Sequence, residues 1–212
     1  MHCPHSGTLV IFGATGEFIY KKIFPSLYAM ERRRRLQMPV IGAARPEWTY
    51  ERFRVRARRS IERYGDFDEA VLAKFQERLR YIGGDYGAPA THAALRKELG
   101  GAAHPLHYLA IPPSVSGSVI EALGQPGCAC GACVIVGKPF DRDLPSAQAL
   151  SAPLHTLFDE LCIFRIDITQ GKKRCRTSWS SVSSGSAHMV CRVSGLDFAE
   201  TRNWPVSAFS HL

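Results

Sequence analysis

Two glycines, Gly13 and Gly16, stand three residues apart in the segment Gly13-Ala14-Thr15-Gly16 near the start of the chain. Glycines at this spacing let the backbone turn tightly and come close to a phosphate group. A short G-x-x-G segment is also common in plain turns, so its context decides its chemistry. Between a strand and a helix the segment favours phosphate binding, because a helix N-terminus presents unpaired N–H groups and a positive dipole.

The elements predicted around this segment supply that context. Residues 8–12 form a short β-branched, apolar run without alternation, typical of a strand buried on both faces of a parallel sheet. A helix is predicted from about Glu17 to Leu36. The remaining predicted strands cover residues 39–43, 106–110, 134–136 and 163–166, and the remaining predicted helices cover residues 50–64, 68–79, 118–123 and 146–158. This alternation predicts an α/β fold with a doubly wound, Rossmann-like parallel sheet.

Arg45 ends the second predicted strand, in the sequence Ile41-Gly42-Ala43-Ala44-Arg45. In dinucleotide-binding folds this strand end faces the adenine ribose. A carboxylate there accepts a hydrogen bond from the 2′-hydroxyl of NAD, whereas an arginine pairs with the 2′-phosphate of NADP. Arg45 therefore favours NADP, and an ordinary surface arginine is the alternative interpretation.

Composition excludes several classes of protein. The chain has 212 residues, of which 45% are apolar and 22% charged, values typical of a soluble globular protein and not of a disordered or fibrous one. No apolar run approaches the roughly 18 residues of a membrane helix, so no membrane partner is expected. The N-terminus lacks the basic start and apolar core of a secretory signal, and the cytoplasm is the expected location.

The net charge of +8 permits an anionic ligand or nucleic acid. The Arg32–Arg35 run is interpreted as the solvated C-terminal end of the first helix, where cations suit the helix dipole. A nucleic-acid partner is less favoured, because no aromatic residues or reading motif accompany that run. Residues 168–212 contain six basic residues and two acidic ones, a composition unlike the rest of the chain.

Seven cysteines in a cytoplasmic chain are most simply free thiols. Three of them, Cys128, Cys130 and Cys133, form a C-x-C-x-x-C cluster. A zinc site would need a fourth ligand, for which His107 is a candidate. The favoured interpretation is a loop of small residues between a helix and a strand, without a metal.

A set of further segments stands in a fixed order along residues 8–167. They are Val10-Ile11-Phe12-Gly13-Ala14-Thr15-Gly16, Lys22-Ile23-Phe24-Pro25-Ser26-Leu27-Tyr28, Ile41-Gly42-Ala43-Ala44-Arg45, Gly84-Asp85-Tyr86, Tyr108-Leu109-Ala110-Ile111-Pro112-Pro113, Lys138-Pro139-Phe140 and Ile163-Phe164-Arg165-Ile166-Asp167. Each is weak alone, but together they are specific. The chain resembles the N-terminal part of glucose-6-phosphate dehydrogenase.

The resemblance implies roles for the residues near the cofactor, NADP. Arg45 would hold the 2′-phosphate, and Tyr108 would lie along the cofactor, as would, less firmly, Asp85 and Tyr86. The residues implied to wrap the pyrophosphate are Gly13, Ala14, Thr15, Gly16, Glu17, Phe18, Ile19 and Tyr20.

The resemblance also implies a substrate, glucose 6-phosphate, and two residues near it. Lys138 would reach both nicotinamide and sugar, from a Lys138–Pro139 peptide that is cis in the family. Asp167 would orient the histidine that takes the proton from the sugar hydroxyl while hydride leaves for NADP.

Four positions depart from the family's pattern before residue 168. Ile19 replaces a small residue where helix and strand pack closely, so its extra volume needs accommodation. Gly137 stands for a carboxylate, and Asp141 stands for a glycine. Pro153 interrupts the helix predicted after Ser146, at a position where proline is unfavourable.

The largest departure follows Asp167, where the family's next residue is a histidine and this chain has Ile168. One permitted set of codons for residues 167–183, with a single C inserted after the codon of Asp167, translates as Asp-His-Tyr-Pro-Gly-Lys-Glu-Ala-Val-Gln-Asn-Leu-Leu-Val-Leu-Arg-Phe. The sixteen residues after the Asp match the family at all but one position, a Pro for Leu. Residues 168–212 are therefore interpreted as out-of-frame translation, with a natural basic interaction segment as the rival interpretation.

The sequence thus predicts a disordered N-terminus at 1–7, an NADP-binding domain at 8–167, and an irregular basic tail at 168–212. On the out-of-frame interpretation, the family's second domain, which carries the proton-accepting histidine and the dimer contact, is expected to be missing. Activity of this chain is accordingly not expected. The alternative function is a basic nucleic-acid-binding or interaction protein with no enzymatic role.

Overall fold

The computed structural model describes residues 7–124, 128, 131–137, 153–167 and 190–192. The strands are β1 (Leu9–Phe12), β2 (Val40–Ala44), β3 (Leu79–Gly83), β4 (Leu106–Leu109), β5 (Cys133–Gly137), β6 (Ile163–Asp167) and β7 (Val190–Arg192). The helices are α1 (Phe24–Arg32), α2 (Tyr50–Tyr64), α3 (Glu69–Arg78), α4 (Pro89–Leu99) and α5 (Pro113–Leu123). A π-helical segment, Ile19–Ile23, leads into α1, residues 153–157 are helical, and Glu160–Cys162 form a 3-10 turn.

All seven strands are parallel, in the order β3-β2-β1-β4-β5-β6-β7. The chain runs outward from β1 to β3 on one side and then returns to place β4 on the other side of β1. The strand order therefore reverses between β1 and β4. In open parallel sheets such a reversal leaves a crevice at the carboxyl ends of the strands, where ligands bind. The α/β doubly wound fold predicted from the sequence is confirmed.

The two faces of β1 explain why the strand is entirely apolar. Ile11 belongs to a core cluster with Phe24 of α1 and Phe53 of α2, whereas Phe12 belongs to a second cluster with Val119 of α5. Alternate side chains thus enter opposite layers, and both layers exclude water. A strand covered by helices on both faces has no solvent-facing position for a polar residue.

Several predicted boundaries need correction. The first helix ends at Arg32 instead of Leu36, and the helix predicted at 68–79 ends at Arg78, because Leu79 begins β3. Neither β3 nor α4 was predicted from the sequence. The helix predicted at 118–123 begins at Pro113. The predicted helix at 50–64 is confirmed in full.

Parts of the predicted organisation fall outside the described residues. These are residues 1–6, residues 146–152 of the helix predicted at 146–158, and residues 168–189 and 193–212 of the basic tail. Gly7 is described, and its N–H donates to the carbonyl of Ala103 at 3.1 Å. Within the tail, β7 pairs in parallel with β6, and Arg165 lies opposite Val190. No helix in the described part of the chain is long and apolar enough to span a bilayer.

Candidate functional site

The Gly13–Gly16 segment forms a tight turn at the carboxyl end of β1. Gly13 has a φ of +80°, which strains any residue with a side chain. A Cβ on Gly13 would also collide with the carbonyl oxygen of Ala110, just beyond β4. The Gly16 N–H closes the turn onto the Gly13 carbonyl at 2.8 Å. Glycine at position 13 therefore lets the turn lie directly in the crevice between β1 and β4.

A helix begins immediately after this turn. Its first backbone N–H to meet a carbonyl four residues back is that of Tyr20, which donates to Gly16 at 3.1 Å. The N–H groups of Glu17, Phe18 and Ile19 precede it, and the first amides of a helix have no acceptor within the helix. Their arrangement suits an anion at the mouth of the turn.

Ile19, the residue that replaces the family's small one, is buried in the core cluster against α1 and α2. It also begins the π-helical segment Ile19–Ile23. A π turn adds backbone relative to an α turn and is frequent beside functional sites. The larger side chain is thus accommodated in the core, and it does not enter the crevice.

Tyr86 and Arg45 flank the turn on the β2 side. Tyr86 is only 5% exposed, and its hydroxyl accepts a hydrogen bond from the Gly13 N–H at 3.0 Å. Burial raises the pKa of Tyr86, and the nearby Arg45 opposes that shift. The guanidinium carbon of Arg45 lies 5.8 Å from the centre of the Tyr86 ring. Arg45 is exposed at the end of β2, so its charge stands beside the crevice and faces solvent.

Asp85 stabilises the backbone next to Tyr86. Its carboxylate accepts a hydrogen bond from the Gly87 N–H at 3.2 Å, within the turn that precedes α4. Its side chain is exposed. Of the two neighbouring residues implied by the resemblance, Tyr86 therefore touches the glycine turn directly, while Asp85 shapes the segment that carries Tyr86.

Tyr108 lies in β4 and is 4% exposed. Its hydroxyl is buried and has no hydrogen-bond partner among the described residues. Burial strongly raises its pKa, so the hydroxyl keeps its proton at neutral pH. A buried hydroxyl without a partner is costly, and its presence in the strand beside β1 suits a site that a polar ligand completes.

The two residues predicted near the sugar lie further along the sheet. Lys138 follows β5 directly and is outside the described residues, as are Pro139 and the peptide between them. Asp167 is the last residue of β6, and Gly137 of β5 lies opposite Ile166 of β6. The parallel register therefore brings the last residues of both strands to the same edge of the sheet, the edge that carries the glycine turn.

Arg56 is a contact of the glycine turn that sequence reasoning missed. It projects from α2 and donates through Nη2 to the carbonyl of Thr15 at 2.8 Å. The same nitrogen lies 3.3 Å from a carboxylate oxygen of Glu17. A faint sequence signal exists, since Arg52 and Arg56 are four residues apart on one face of α2, and Trp48 stands four residues before Arg52, just ahead of the helix.

The cysteine cluster is described only in part. Cys128 and Cys133 are buried. The imidazole of His107, the candidate fourth ligand, donates through Nε2 to the backbone carbonyl of Cys128 at 2.8 Å. Within the described residues no group of three or more ligating side chains comes together. Cys130 lies outside that part of the chain.

Known proteins resemble this chain over the part that contains the glycine turn. The family model described as "Glucose-6-phosphate dehydrogenase, NAD binding domain" matches residues 10–176. Glucose-6-phosphate 1-dehydrogenase 1 of Mycobacterium tuberculosis is 36% identical over 168 residues, which cover 79% of this chain and 36% of that protein. The Schizosaccharomyces pombe enzyme is 34% identical over 183 residues, with coverage of 79% and 36%. The chain thus spans about a third of the length of these curated relatives.

Solved structures show the same relationship. The glucose-6-phosphate 1-dehydrogenase of Mycobacterium avium superposes with a TM-score of 0.72 at 40% identity, covering 76% of this chain and 35% of that one. A glucose-6-phosphate dehydrogenase in complex with its substrate superposes with a TM-score of 0.68 at 29% identity, covering 79% and 37%. With the family model matching most of the sheet that carries the glycine turn, this chain belongs to the glucose-6-phosphate dehydrogenase family.

Proposed function

We propose that the chain binds NADP in the crevice between β1 and β4, as the dinucleotide-binding part of a glucose-6-phosphate dehydrogenase. The observation that carries the proposal is the glycine turn at the reversal of strand order, with Arg45 at the end of the neighbouring strand. The pyrophosphate would rest on the amides that follow Gly16. Arg45 would pair with the 2′-phosphate, for which a guanidinium supplies two parallel hydrogen bonds.

The residues present fit such a cofactor. The turn leaves amides at the start of a helix without internal acceptors. Gly13 keeps the Ala110 backbone close to the turn, and the Tyr108 hydroxyl is buried without a partner among the described residues. NADP, when bound, would accept hydride from the sugar. The chain's own residues would orient it: Tyr86 and the Ala43 carbonyl hold the Gly13 amide, and Arg45 would select the phosphorylated ribose.

On the substrate side, Lys138 is proposed to contact glucose 6-phosphate and the nicotinamide, and Asp167 is proposed to orient a proton-accepting histidine. Support comes from the register that brings the ends of β5 and β6 to one edge. One of the solved relatives is itself a complex with glucose 6-phosphate. A curated relative from Solanum tuberosum carries "cytoplasmic isoform" in its name, which supports the cytoplasm as the proposed location.

We further propose the division into residues 1–7, a cofactor-binding domain at 8–167 and an out-of-frame segment at 168–212. The family-model match ends at residue 176, nine residues after the proposed boundary, and residues 177–212 lie beyond it. The match therefore supports a loss of the family's pattern in residues 177–212, while the boundary at residue 167 rests on the residues that follow Asp167. Sequencing the gene across codons 160–185 tests the division. The out-of-frame proposal would be overturned by a gene sequence in which one base inserted after codon 167 does not restore the family's amino-acid sequence.

Calorimetric titration of the full chain with NADP and with NAD tests cofactor choice. The unmutated chain is expected to bind NADP more tightly. Arg45→Ala should weaken NADP binding by about tenfold or more and leave NAD binding unchanged, because only NADP carries the 2′-phosphate. Arg52→Ala is the matched control, since that guanidinium packs on Trp48 at 4.6 Å and contacts neither the turn nor Tyr86 in the described structure. Equal affinities of the unmutated chain for NADP and NAD would show that Arg45 does not pair with the 2′-phosphate.

A further inference from the structure

Two side chains from distant parts of the chain hold the glycine turn from opposite sides. Tyr86 accepts the Gly13 N–H on one side. On the other, Arg56 donates to the Thr15 carbonyl at 2.8 Å. The Gly13 N–H also donates to the Ala43 carbonyl at 2.9 Å, so the tyrosine shares in fixing this donor of the turn, and the arginine fixes an acceptor. Together they determine the orientation of the peptides between Gly13 and the start of the helix.

Arg56 is itself held in place by aromatic rings. Its guanidinium carbon lies 4.7 Å from the centre of the Tyr20 ring and 5.6 Å from that of Trp48. The side chain is 24% exposed. A guanidinium packed between rings has already lost much of its rotamer freedom, so its hydrogen bond to the turn costs little further entropy.

The same guanidinium offsets a negative charge at the turn. Glu17 is 67% exposed, and its carboxylate lies at the first residue of the helix, where an incoming pyrophosphate would meet it. Lys21 lies 3.1 Å from that carboxylate and Arg56 lies 3.3 Å from it. The hydrogen bond from Lys21, followed by the contribution of Arg56, lowers the pKa of Glu17. The carboxylate is thus ionised but balanced by two cations, which reduces its repulsion of a second anion.

These contacts extend the proposed function and rest on it. We propose that Arg56 is a positioning residue for the pyrophosphate of the dinucleotide. It ties the Thr15 carbonyl back toward α2 and neutralises Glu17, which leaves the amides at the start of the helix free for phosphate oxygens. Because NADP and NAD share the pyrophosphate, Arg56 serves both cofactors equally, whereas Arg45 serves only the 2′-phosphate.

The test compares three variants of the full chain by calorimetric titration with NADP and with NAD. Arg56→Met keeps the length and the packing on Tyr20 but removes the charge and the donors. It is expected to weaken both cofactors by the same factor, about tenfold, equivalent to about 1.4 kcal/mol. Arg56→Lys restores a charge and a donor, and it should recover part of the loss. Arg54→Met is the matched control, because Arg54 packs on Tyr50 at 5.1 Å on the same helix and has no contact with the turn in the described structure.

Hydrogen exchange of the cofactor-free chain provides a second measurement that does not depend on binding. Amides of residues 13–20 should exchange faster in Arg56→Met than in Arg54→Met. Unchanged binding of both cofactors in Arg56→Met, or unchanged exchange, would overturn the positioning role. So would a loss confined to NADP, since it would make Arg56 a ligand of the 2′-phosphate. If the unmutated chain binds neither cofactor, the proposed function itself is overturned and the positioning role falls with it.

Discussion

His107 lies at the centre of the sheet, in β4, and is fully buried. Its Nε2 donates to the Cys128 carbonyl, while its Nδ1 has no partner in the described part of the chain. The rings of Phe12 and Phe158 lie within 6.5 Å of the imidazole. Burial lowers the pKa of His107 to about 4, since these surroundings cannot solvate a charged ring. The imidazole is therefore neutral in the fold.

This burial predicts acid sensitivity. Because the folded pKa of about 4 lies below the unfolded value of about 6.5, the imidazole's contribution to stability is complete above pH 6.5 and is lost as the pH falls toward 4. The expected loss is about 3 kcal/mol by pH 4. Urea unfolding at pH 7 and pH 4 measures it, with His107→Gln as the comparison. A glutamine side chain can donate to the Cys128 carbonyl but does not titrate, so the stability of the His107→Gln variant should fall less on acidification. Equal losses in both proteins would show that His107 is not the acid-sensitive group.

At the residue scale, sequence reasoning identified those candidate site residues that a local pattern marks. Gly13 and Gly16 share one turn, and Arg45 ends a strand, so spacing along the chain is enough to identify them. Arg56 contacts a residue 41 positions away, and Tyr86 contacts one 73 positions away. Only the packing of α2 on the sheet and the path of the chain after β3 bring these pairs together, and no local pattern encodes either.

At the scale of elements, the same limit applies to the boundary between α3 and β3. Leu72, Phe75 and Leu79 continue one apolar helical stripe, so periodicity does not show where the helix ends. The backbone turns at Leu79 because that residue pairs with Val40 of β2, a contact formed across the sheet. The missed helix α4 did have local signals, since Pro89 is its first residue and Gly100 follows its end with a φ of +55°.

The end of α1 is closed by a local hydrogen-bond motif that its arginine-rich sequence does not indicate. The Arg35 N–H donates to the Met30 carbonyl and the Arg34 N–H donates to the Glu31 carbonyl, both at 2.8 Å. These two bonds form a Schellman motif, which usually has glycine at the left-handed position. Here Arg34 occupies that position with a φ of +56°. The arginine run therefore ends the helix at the expense of backbone strain.

Relief of that strain should stabilise the protein. Arg34→Gly is expected to raise the free energy of unfolding by about 0.5–1 kcal/mol, because glycine adopts a positive φ without a Cβ clash. Arg33→Gly is the matched control: Arg33 has a φ of −85°, where glycine adds only unfolded-state entropy and should destabilise. Thermal unfolding of both variants checks the difference. A lower midpoint for Arg34→Gly than for the unmutated chain would contradict the assigned backbone conformation.

At the scale of the whole molecule, different strands of the sheet carry the residues proposed to bind the cofactor and those proposed to serve the sugar. Strands β1 and β2 end at the glycine turn and at Arg45, whereas β5 and β6 end beside the positions proposed to serve the sugar. The relatives are about three times as long as the part matched here. The doubly wound fold followed from the alternation of elements, but the seven-strand extent of the sheet did not, because β3 and β7 have short, weakly apolar sequences.

The last prediction concerns catalysis. The chain should show no glucose-6-phosphate dehydrogenase activity, although its cofactor site is expected to bind NADP. Asp167 lacks the proton-accepting histidine that it would orient, and position 168 is isoleucine instead of the separate histidine that grips the sugar phosphate in the family. General-base catalysis typically contributes about 10²–10⁴-fold, and the loss of sugar positioning removes further orders of magnitude. Both losses follow from the segment after residue 167, so cofactor binding alone cannot restore turnover.

The measurement is NADPH absorbance with purified chain, saturating glucose 6-phosphate and NADP. The comparison protein is encoded by the same gene with one C inserted after codon 167, which restores the histidine and the residues after it. That protein should turn over, at a rate that Gly137 and Asp141 reduce relative to the family because they replace its carboxylate and glycine around Lys138. Turnover by the unrestored chain near the ordinary enzymatic median of about 10 s⁻¹ would mean that residues 168–212 supply a base and a phosphate site of their own. The out-of-frame interpretation would then be wrong, since random translation does not build two catalytic functions at once.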